Sequence, residues 1–150
     1  GGHAGVFSNA NDLAKIMQLY LNGGSYGGKC YFRDSTIHLF TRSPFKEKNG
    51  NRRALGFDKP VNKKDKEGPT AKGVSMKSFG HSGFTGTIAW ADPEEQVVYL
   101  FLSNRIHPDQ DNLKLIQSDV RTRIQRVIYD AIMNADLNIP TDINDQSGRN

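Results

Sequence analysis

The sequence predicts an α+β fold in which an antiparallel sheet is flanked by helices. Two apolar runs, residues 87–91 and 96–102, are separated by the turn sequence Asp-Pro-Glu-Glu at 92–95, which indicates a β-hairpin. Apolar residues recur at helical spacing both before and after this hairpin, and they predict the flanking helices. A length of 150 residues gives room for one domain and too little for two comfortable ones.

Two helices are predicted before the hairpin. Asn9 is a good N-cap, with Asp12 three residues later in an arrangement close to a capping box. The apolar residues that follow at helical spacing are Leu13, Ile16, Met17, Tyr20 and Leu21. Gly23 and Gly24 end this helix, and a second, short helix is expected over residues 34–41.

The middle of the chain is basic. Residues 46–77 carry ten Lys and Arg against four Asp and Glu, a net charge of +6. Such a stretch can bind nucleic acid, but its charges are mixed in sign, and no aromatic residue lies between Phe57 and Phe79 to stack on a base. We therefore expect solvated loops around a short strand at 54–57, and no nucleic-acid partner.

The second hairpin strand is apolar on both faces from Val97 to Leu102, so both of its faces should be covered. The helix that follows is the expected cover, with Arg121, Arg123 and Arg126 mostly outside its apolar stripe. That stripe consists of Leu113, Ile116, Val120, Ile124, Val127, Ile128 and Ala131. Residues 136–150 are expected to form a flexible tail. The longest apolar run has six residues, so no membrane span is expected in this segment.

Common catalytic and metal-binding patterns are weak in this chain. The four His residues lack paired-ligand spacing, so we expect no metal and no cofactor. Cys30 is alone, which excludes an internal disulfide. One Ser-x-x-Lys spacing occurs, at Ser43 and Lys46, but chance gives roughly 0.7 such matches in a chain of this composition. Polar residues follow it, so we do not assign a nucleophile there.

The glycine segment, residues 79–87, is the most distinctive part of the chain. It contains Gly80, Gly83 and Gly86 just before a predicted strand. A phosphate-binding loop would need a Lys-Ser/Thr pair and a helix after the last glycine, which excludes that interpretation. The remaining alternatives are a tight bend, which is the commoner one, and a strand edge that displays His81 and Ser82 beside a site.

The glycine segment resembles the third motif, Lys/His-Thr/Ser-Gly, of the serine β-lactamase-like family. This family includes class C β-lactamases, penicillin-binding proteins and related esterases. Residues 1–14 are similar to the family's glycine-rich turn and following helix, and Trp-Ala-Asp-Pro at 90–93 and Leu-Ser-Asn-Arg at 102–105 continue the similarity. The resemblance covers residues 1–135 and implies the C-terminal portion of a β-lactamase/transpeptidase-like fold.

The resemblance also implies roles for particular residues. His81 takes the place of the motif's basic residue, which holds or polarises the substrate or relays a proton. Ser82 lines the site, and the amide of Phe84 provides one of the two oxyanion-hole donors. The positions expected to contact substrate are Gly83, Thr85, Asn104 and Arg105.

The family's upstream Ser-x-x-Lys and Tyr-centred motifs are missing, and there is no initiator Met. We therefore expect a fragment that is inactive alone. Its parent would be a serine hydrolase that cleaves an ester, amide or β-lactam through an acyl-enzyme. The alternative is a non-catalytic module that binds cell-wall peptide or another ligand. The implied partners are a small-molecule or cell-wall-derived substrate and the N-terminal part of the same domain, and the resemblance alone suggests a periplasmic or extracytoplasmic location.

Overall fold

A computed structural model of the chain describes residues 4–45, 51–61 and 68–137. The first part contains helix α1 (Ala10–Leu21), strands β1 (Ser25–Tyr26) and β2 (Lys29–Cys30), and helix α2 (Asp34–Thr41). The second part contains strands β3 (Phe79–Ser82), β4 (Ile88–Asp92) and β5 (Val97–Phe101), followed by helices α3 (Lys114–Gln117) and α4 (Val120–Leu137). The predicted α+β class is confirmed.

Helix α1 begins and ends where its local sequence predicts. The Asn9 side chain accepts a hydrogen bond from the Asp12 amide at 3.0 Å. After the helix, Gly23 and Gly24 adopt positive φ angles of 62° and 98°, and the Gly24 amide donates to the Leu19 carbonyl at 2.8 Å. Helix α2 also matches its predicted range. The short hairpin of β1 and β2, which turns at Gly27 and Gly28, was not anticipated from the sequence.

The sheet has the strand order β3-β4-β5 and is antiparallel throughout, which confirms the predicted hairpin. On the outer side of β3, Asp58 exchanges two backbone hydrogen bonds with Gly80, of 2.7 and 3.2 Å. A Cβ atom on Gly80 would overlap the Ala89 carbonyl oxygen and the Trp90 side chain, so only glycine fits there. Strand β3 is thus held between β4 and the segment around Asp58.

Both faces of the sheet are covered, as predicted, but by different helices. Ile88, Trp90 and Tyr99 pack against Tyr129 of α4 on one face. On the other face Phe79 and Ala91 pack against Met17 of α1. The terminal helix, which was the expected cover, lies on one face only: the alternating side chains of β4 and β5 require a layer on each side, and α1 is the second one.

The predicted apolar stripe of the terminal helix is also wrong. Asp119, at φ 52°, separates α3 from α4, and four residues of the stripe are 42–68% exposed: Leu113, Ile116, Ile124 and Val127. The buried face is instead formed by Gln125, Ile128 and Tyr129. Polar contacts set this rotation, because Gln125 Oε1 accepts from the Ala71 amide and Tyr129 donates to Asp92, both at 2.8 Å.

The basic stretch is not simply a solvated loop. Lys59 is only 6% exposed and donates through Nζ to the Lys77 carbonyl at 2.7 Å, while Arg52 pairs with Asp58. The predicted strand at 54–57 is a turn instead, in which Gly56 has φ 89° and the Ala54 amide donates to the Phe57 carbonyl at 3.1 Å. A buried lysine and a partly buried ion pair therefore shape the part of this stretch that the structure describes.

Helix α4 continues through Leu137, and the rest of the predicted tail, residues 138–150, lies outside the described residues. Within the described ranges, no helix combines the length and the apolar composition needed to cross a membrane.

Candidate functional site

His81 lies at the exposed end of β3 and is held by two contacts. Its Nδ1 lies 2.7 Å from the Ser82 carbonyl oxygen, and its Nε2 lies 3.4 Å from Nη1 of Arg53. Because a carbonyl oxygen only accepts, Nδ1 carries the proton in this arrangement and Nε2 accepts from the guanidinium. The imidazole is therefore fixed in one tautomer, with Nε2 directed towards Arg53.

The turn between β3 and β4 presents Phe84 at its tip. The Gly83 amide donates to the Thr87 carbonyl at 2.8 Å, and the buried Gly86 donates to the Gly83 carbonyl at 3.0 Å with φ 93°. A Cβ on Gly83 would lie 2.5 Å from Thr87 Oγ1, so this turn closes tightly on itself. Among the described residues the Phe84 amide donates no hydrogen bond, which leaves it available to a ligand.

Arg105 binds the back of this turn. Its Nε donates to the Phe84 carbonyl at 2.8 Å, and its guanidinium carbon lies 4.6 Å from the centroid of the Phe84 ring. Its Nη1 also donates to the Gln110 and Asn112 carbonyls, at 3.0 and 3.2 Å. The guanidinium is thus engaged by carbonyls of the protein, and its evident effect is to orient the turn.

The structure joins several of the sequence-predicted site residues directly. The Thr85 carbonyl accepts from the Arg105 amide at 3.0 Å and from Ser103 Oγ at 3.0 Å. His81 and Ser82 precede this turn on β3, where Ser82 is half-buried opposite Ile88. Asn104 is exposed beside Arg105, and its carbonyl accepts from the His107 amide at 3.3 Å.

The Ser-x-x-Lys spacing at Ser43 has no catalytic geometry at its serine. Ser43 Oγ donates to the Arg52 carbonyl at 2.6 Å. Lys46 lies outside the described residues. The Ser43 hydroxyl is therefore used to hold backbone in place.

The opposite end of the sheet contains a buried polar network, which we call the base network: Ser75, Ser78, Trp90, Asp92 and Tyr129. The Asp92 carboxylate is 0% exposed and accepts from the Ser75 amide at 2.9 Å, from Ser75 Oγ at 2.5 Å and from the Tyr129 hydroxyl at 2.8 Å. Ser78 links the network to the sheet, because its Oγ accepts from Trp90 Nε1 at 3.0 Å and donates to the Ser75 carbonyl at 2.6 Å.

The base network also changes the acidity of Tyr129. Burial, and the Asp92 carboxylate that accepts its hydrogen bond, raise the pKa of the Tyr129 phenol far above its ordinary value. The phenol therefore remains a donor to Asp92 throughout the neutral pH range. Because Ser78 directly precedes Phe79, this network fixes the backbone that enters β3.

Sequence reasoning missed Arg53 and the base network. Arg53 belonged to a basic stretch with no motif, and its partner His81 lies 28 residues away. Within the described part of the chain, no group of three or more His, Cys, Asp or Glu is placed to hold a metal ion.

Comparisons with known proteins confirm the family that the sequence resembles. Residues 1–122 match the family model described as Beta-lactamase. Proteins named as D-alanyl-D-alanine carboxypeptidase from Salmonella gallinarum, Salmonella paratyphi B and Salmonella newport are each 38% identical to the chain over 116 residues. These alignments cover 76% of the chain but only 26% of each relative, so the chain spans about a quarter of their length.

Proposed function

The chain belongs to the serine β-lactamase-like family. We propose that it forms the side of a serine hydrolase active site that carries the third motif. This enzyme would cleave an ester, amide or β-lactam through an acyl-enzyme. The observation that carries the proposal is the Phe84 amide, which has no acceptor among the described residues and lies three residues after the exposed His81. A free amide beside a displayed imidazole at a strand end suits an acyl-transfer site.

The Phe84 amide would stabilise the negative charge that develops on the substrate carbonyl oxygen during acylation. When a serine oxygen attacks the substrate carbonyl, the C=O π electrons move onto the carbonyl oxygen, and the Phe84 amide would donate a hydrogen bond to it. The nucleophile's own amide would be the second donor. Arg105 supports this role because it binds the Phe84 carbonyl and so orients the Phe84 peptide group.

His81 would hold or polarise the substrate, or relay a proton, through Nε2. The hydrogen bond between Nδ1 and the Ser82 carbonyl leaves Nε2 with a lone pair, which suits acceptance of a proton in the relay role. Ser82 would line the site with its hydroxyl, while Gly83, Thr85 and Asn104 would lie along the substrate. The names of the relatives favour a peptide that ends in D-alanine as the substrate of the whole protein.

This chain alone is expected to be inactive. Ser43 donates to a backbone carbonyl, and the nucleophile and its base would come from the N-terminal part of the same domain. Removing the nucleophile from such a catalytic unit eliminates nearly all of its chemistry.

Intact-mass measurement after treatment with a fluorophosphonate serine probe tests this proposal. The probe is applied in parallel to this chain and to a longer protein that adds an upstream Ser-x-x-Lys segment. We expect one adduct on the longer protein and none on this chain, and slower labelling of the longer protein after His81→Ala. An Arg123→Ala variant, changed on the outer part of α4, provides the matched control and should label at the unchanged rate.

An adduct on the 150-residue chain would contradict the assignment of the nucleophile to another segment, and Ser43→Ala and Ser82→Ala would then locate it. No adduct on either protein would reject the hydrolase. That result would favour the alternative, a non-catalytic module that binds cell-wall peptide in the same cleft.

A further inference from the structure

We propose that a cavity between α1, α2 and the start of β3, which we call the helix cavity, binds a small aromatic carboxylate. The helix cavity has a volume of about 450 Å³. Ligand pockets commonly have volumes of about 300–1,000 Å³, so there is room for a ligand with one ring. Phe79 is the only residue of the glycine segment among the described residues that line the cavity. This site therefore goes beyond the proposed function and does not depend on it.

Helix α2 leaves the helix cavity open because little of the helix is buried. Ile37 is the only buried residue of its eight, at 8% exposed. Asp34, His38 and Thr41 recur on the same helix face at spacings of three and four residues, and they line the cavity. A Cβ atom on Gly23, which has φ 62°, would lie 2.5 Å from Asp34 Oδ1, so glycine lets the end of α1 approach the start of α2. The cavity is thus bounded by the meeting of these two helices.

The inner wall of the helix cavity is aromatic. Tyr20 of α1 and the buried Phe79 line it. The centroid of the Phe79 ring lies 6.3 Å from that of Tyr20 and 5.1 Å from that of Phe57, with interplanar angles of 75° and 62°. Leu21 and Ile37 add apolar surface beside these rings. An aromatic ligand would extend this edge-to-face cluster and remove its apolar surface from water.

Positive charge dominates the polar lining of the helix cavity. The charged side chains among the described lining residues are Asp34, Arg42, Lys59 and Lys77. Lys59 is 6% exposed, and its Nζ lies 5.9 Å from the centroid of the Phe79 ring, so a cation adjoins the aromatic wall. Within the described ranges, no carboxylate lies within ion-pair distance of the exposed Arg42. The lining therefore favours an anionic ligand.

The position of Arg42 indicates one negative charge at one end of the ligand. Asp34 lies in the first turn of α2, where the helix dipole favours a carboxylate, and Arg42 follows the last turn. These two residues are about 12 Å apart along the helix axis, so Asp34 does not neutralise the guanidinium. The planar donors of a guanidinium match a carboxylate. A ring that carries a carboxylate on a short chain fits both the aromatic wall and Arg42.

Protein-observed NMR titrations of the 150-residue chain test the inference. The probes are 3-phenylpropionate, its neutral amide 3-phenylpropanamide, and propionate, which keeps the charge and lacks the ring. We expect 3-phenylpropionate to shift the ring signals of Tyr20 and Phe79. It should bind about fivefold more tightly than the amide, as one partly exposed ion pair implies. Propionate should cause no shifts at the same concentration, because it cannot occupy the aromatic wall.

Variants test the charge and the cavity separately. Arg42→Gln should eliminate most of the preference for the acid and leave the affinity for the amide unchanged, whereas Arg123→Gln, an equal loss of charge on α4, should retain the preference. Met76 lines the cavity and is 41% exposed, so Met76→Trp places a larger side chain in the cavity without changing the core. It should weaken binding at least tenfold. The matched control is Met133→Trp, at a residue of α4 that is 58% exposed, and it should bind normally.

Equal affinity for acid and amide, or a preference that survives Arg42→Gln, would overturn the inference. Unchanged binding in Met76→Trp would place the ligand elsewhere and overturn it as well. So would the absence of shifts up to the solubility limit of 3-phenylpropionate, since the cavity would then take no such ligand. Labelling of the longer protein by the fluorophosphonate probe should be the same with and without Arg42→Gln, because that reaction depends on the nucleophile and the oxyanion hole.

Discussion

The two ends of the β3–β4 pair are built in opposite ways. At the Phe79 end, the Asp92 carboxylate is fully buried and accepts hydrogen bonds from Ser75 and Tyr129. At the Ser82 end, His81 is exposed, its contact with Arg53 is long, and the Phe84 amide has no acceptor among the described residues. One end thus satisfies its polar groups internally, and the other displays them.

Under the proposed function, this difference separates stability from substrate binding along a strand of four residues. Buried hydrogen bonds stabilise the fold because breaking one leaves a buried group unpaired. Exposed groups exchange hydrogen bonds with water at little cost, so they can be reserved for a ligand. The contrast predicts that substitutions in the base network reduce stability. Substitutions at the Ser82 end should change binding instead.

The largest effect is expected for Asp92→Ala. This change leaves the Ser75 amide, Ser75 Oγ and the Tyr129 hydroxyl without their buried acceptor. We expect the free energy of unfolding to fall by about 3–5 kcal/mol, as for breaking a buried charged network. Urea unfolding followed by Trp90 fluorescence measures it, since Trp90 belongs to the same network.

Asp130→Ala is the matched control for Asp92→Ala. Asp130 is an exposed carboxylate on α4 that pairs with Arg126 at 3.5 Å, and its loss should cost at most about 0.5 kcal/mol. If Asp92→Ala cost as little as the control, the base network would not be the source of stability at this end of the sheet.

Tyr129→Phe should have a smaller effect, about 1–2 kcal/mol, because it removes one hydrogen bond to a charged acceptor and keeps the ring. It should also change the response to alkaline pH. The pKa of Tyr129 is raised by burial and by Asp92, whereas in the unfolded chain it is about 10. Above that pH the unfolded state loses its proton and the folded state keeps it, so stability should fall as pH rises.

The measurement is the free energy of unfolding in urea, at neutral pH and again above pH ~10, for the wild type, Tyr129→Phe and Tyr31→Phe. Burial also raises the pKa of Tyr99, so Tyr129→Phe should retain part of the alkaline loss of stability. Tyr31 is 53% exposed, and its variant should behave as the wild type. An alkaline loss of equal size in all three proteins would show that the phenol of Tyr129 does not contribute to it.

The parts of the fold that follow from neighbouring residues could be predicted from the sequence. The cap at Asn9, the glycines after α1 and the turn at 92–95 each act within a few residues of their position. The resemblance on which the proposed role of His81 rests is equally local, because the glycine segment is contiguous. Apolar periodicity also predicted correctly that β5 is covered on both faces.

The rotation of α4, the contact between Arg53 and His81 and the base network depend on polar residues that are far apart in the sequence. Apolar periodicity carries no information about such contacts. Gln125 reaches the Ala71 amide across 54 positions, and this contact helps to rotate α4 away from its apolar stripe. Arg53 and His81 are 28 positions apart, and Tyr129 and Asp92 are 37 apart. A basic residue in a loop carries no sequence signal for such a partner, so these roles emerge only from the structure.

Arg105→Ala tests whether Arg105 holds the turn at the Ser82 end of β3 in place. Its loss removes hydrogen bonds to the Phe84, Gln110 and Asn112 carbonyls and the contact with the Phe84 ring. We expect about 1 kcal/mol of destabilisation, together with faster hydrogen exchange of the amides of residues 83–86. The Arg123→Ala control should leave these amides unchanged, and equal exchange in both variants would remove Arg105 from the support of the turn.

His81→Ala should have the smallest effect on stability, within about 0.5 kcal/mol, because the imidazole is exposed at the strand end. Its effect should appear in binding. Without Nε2 the Arg53 guanidinium loses its contact at 3.4 Å and the orientation it provides, while its charge remains. Labelling of the longer protein by the fluorophosphonate probe should slow, while the free energy of unfolding of the 150-residue chain stays nearly unchanged. A large loss of stability in His81→Ala would show that an exposed residue at the Ser82 end stabilises the fold. That result would contradict the contrast between the Phe79 end and the Ser82 end.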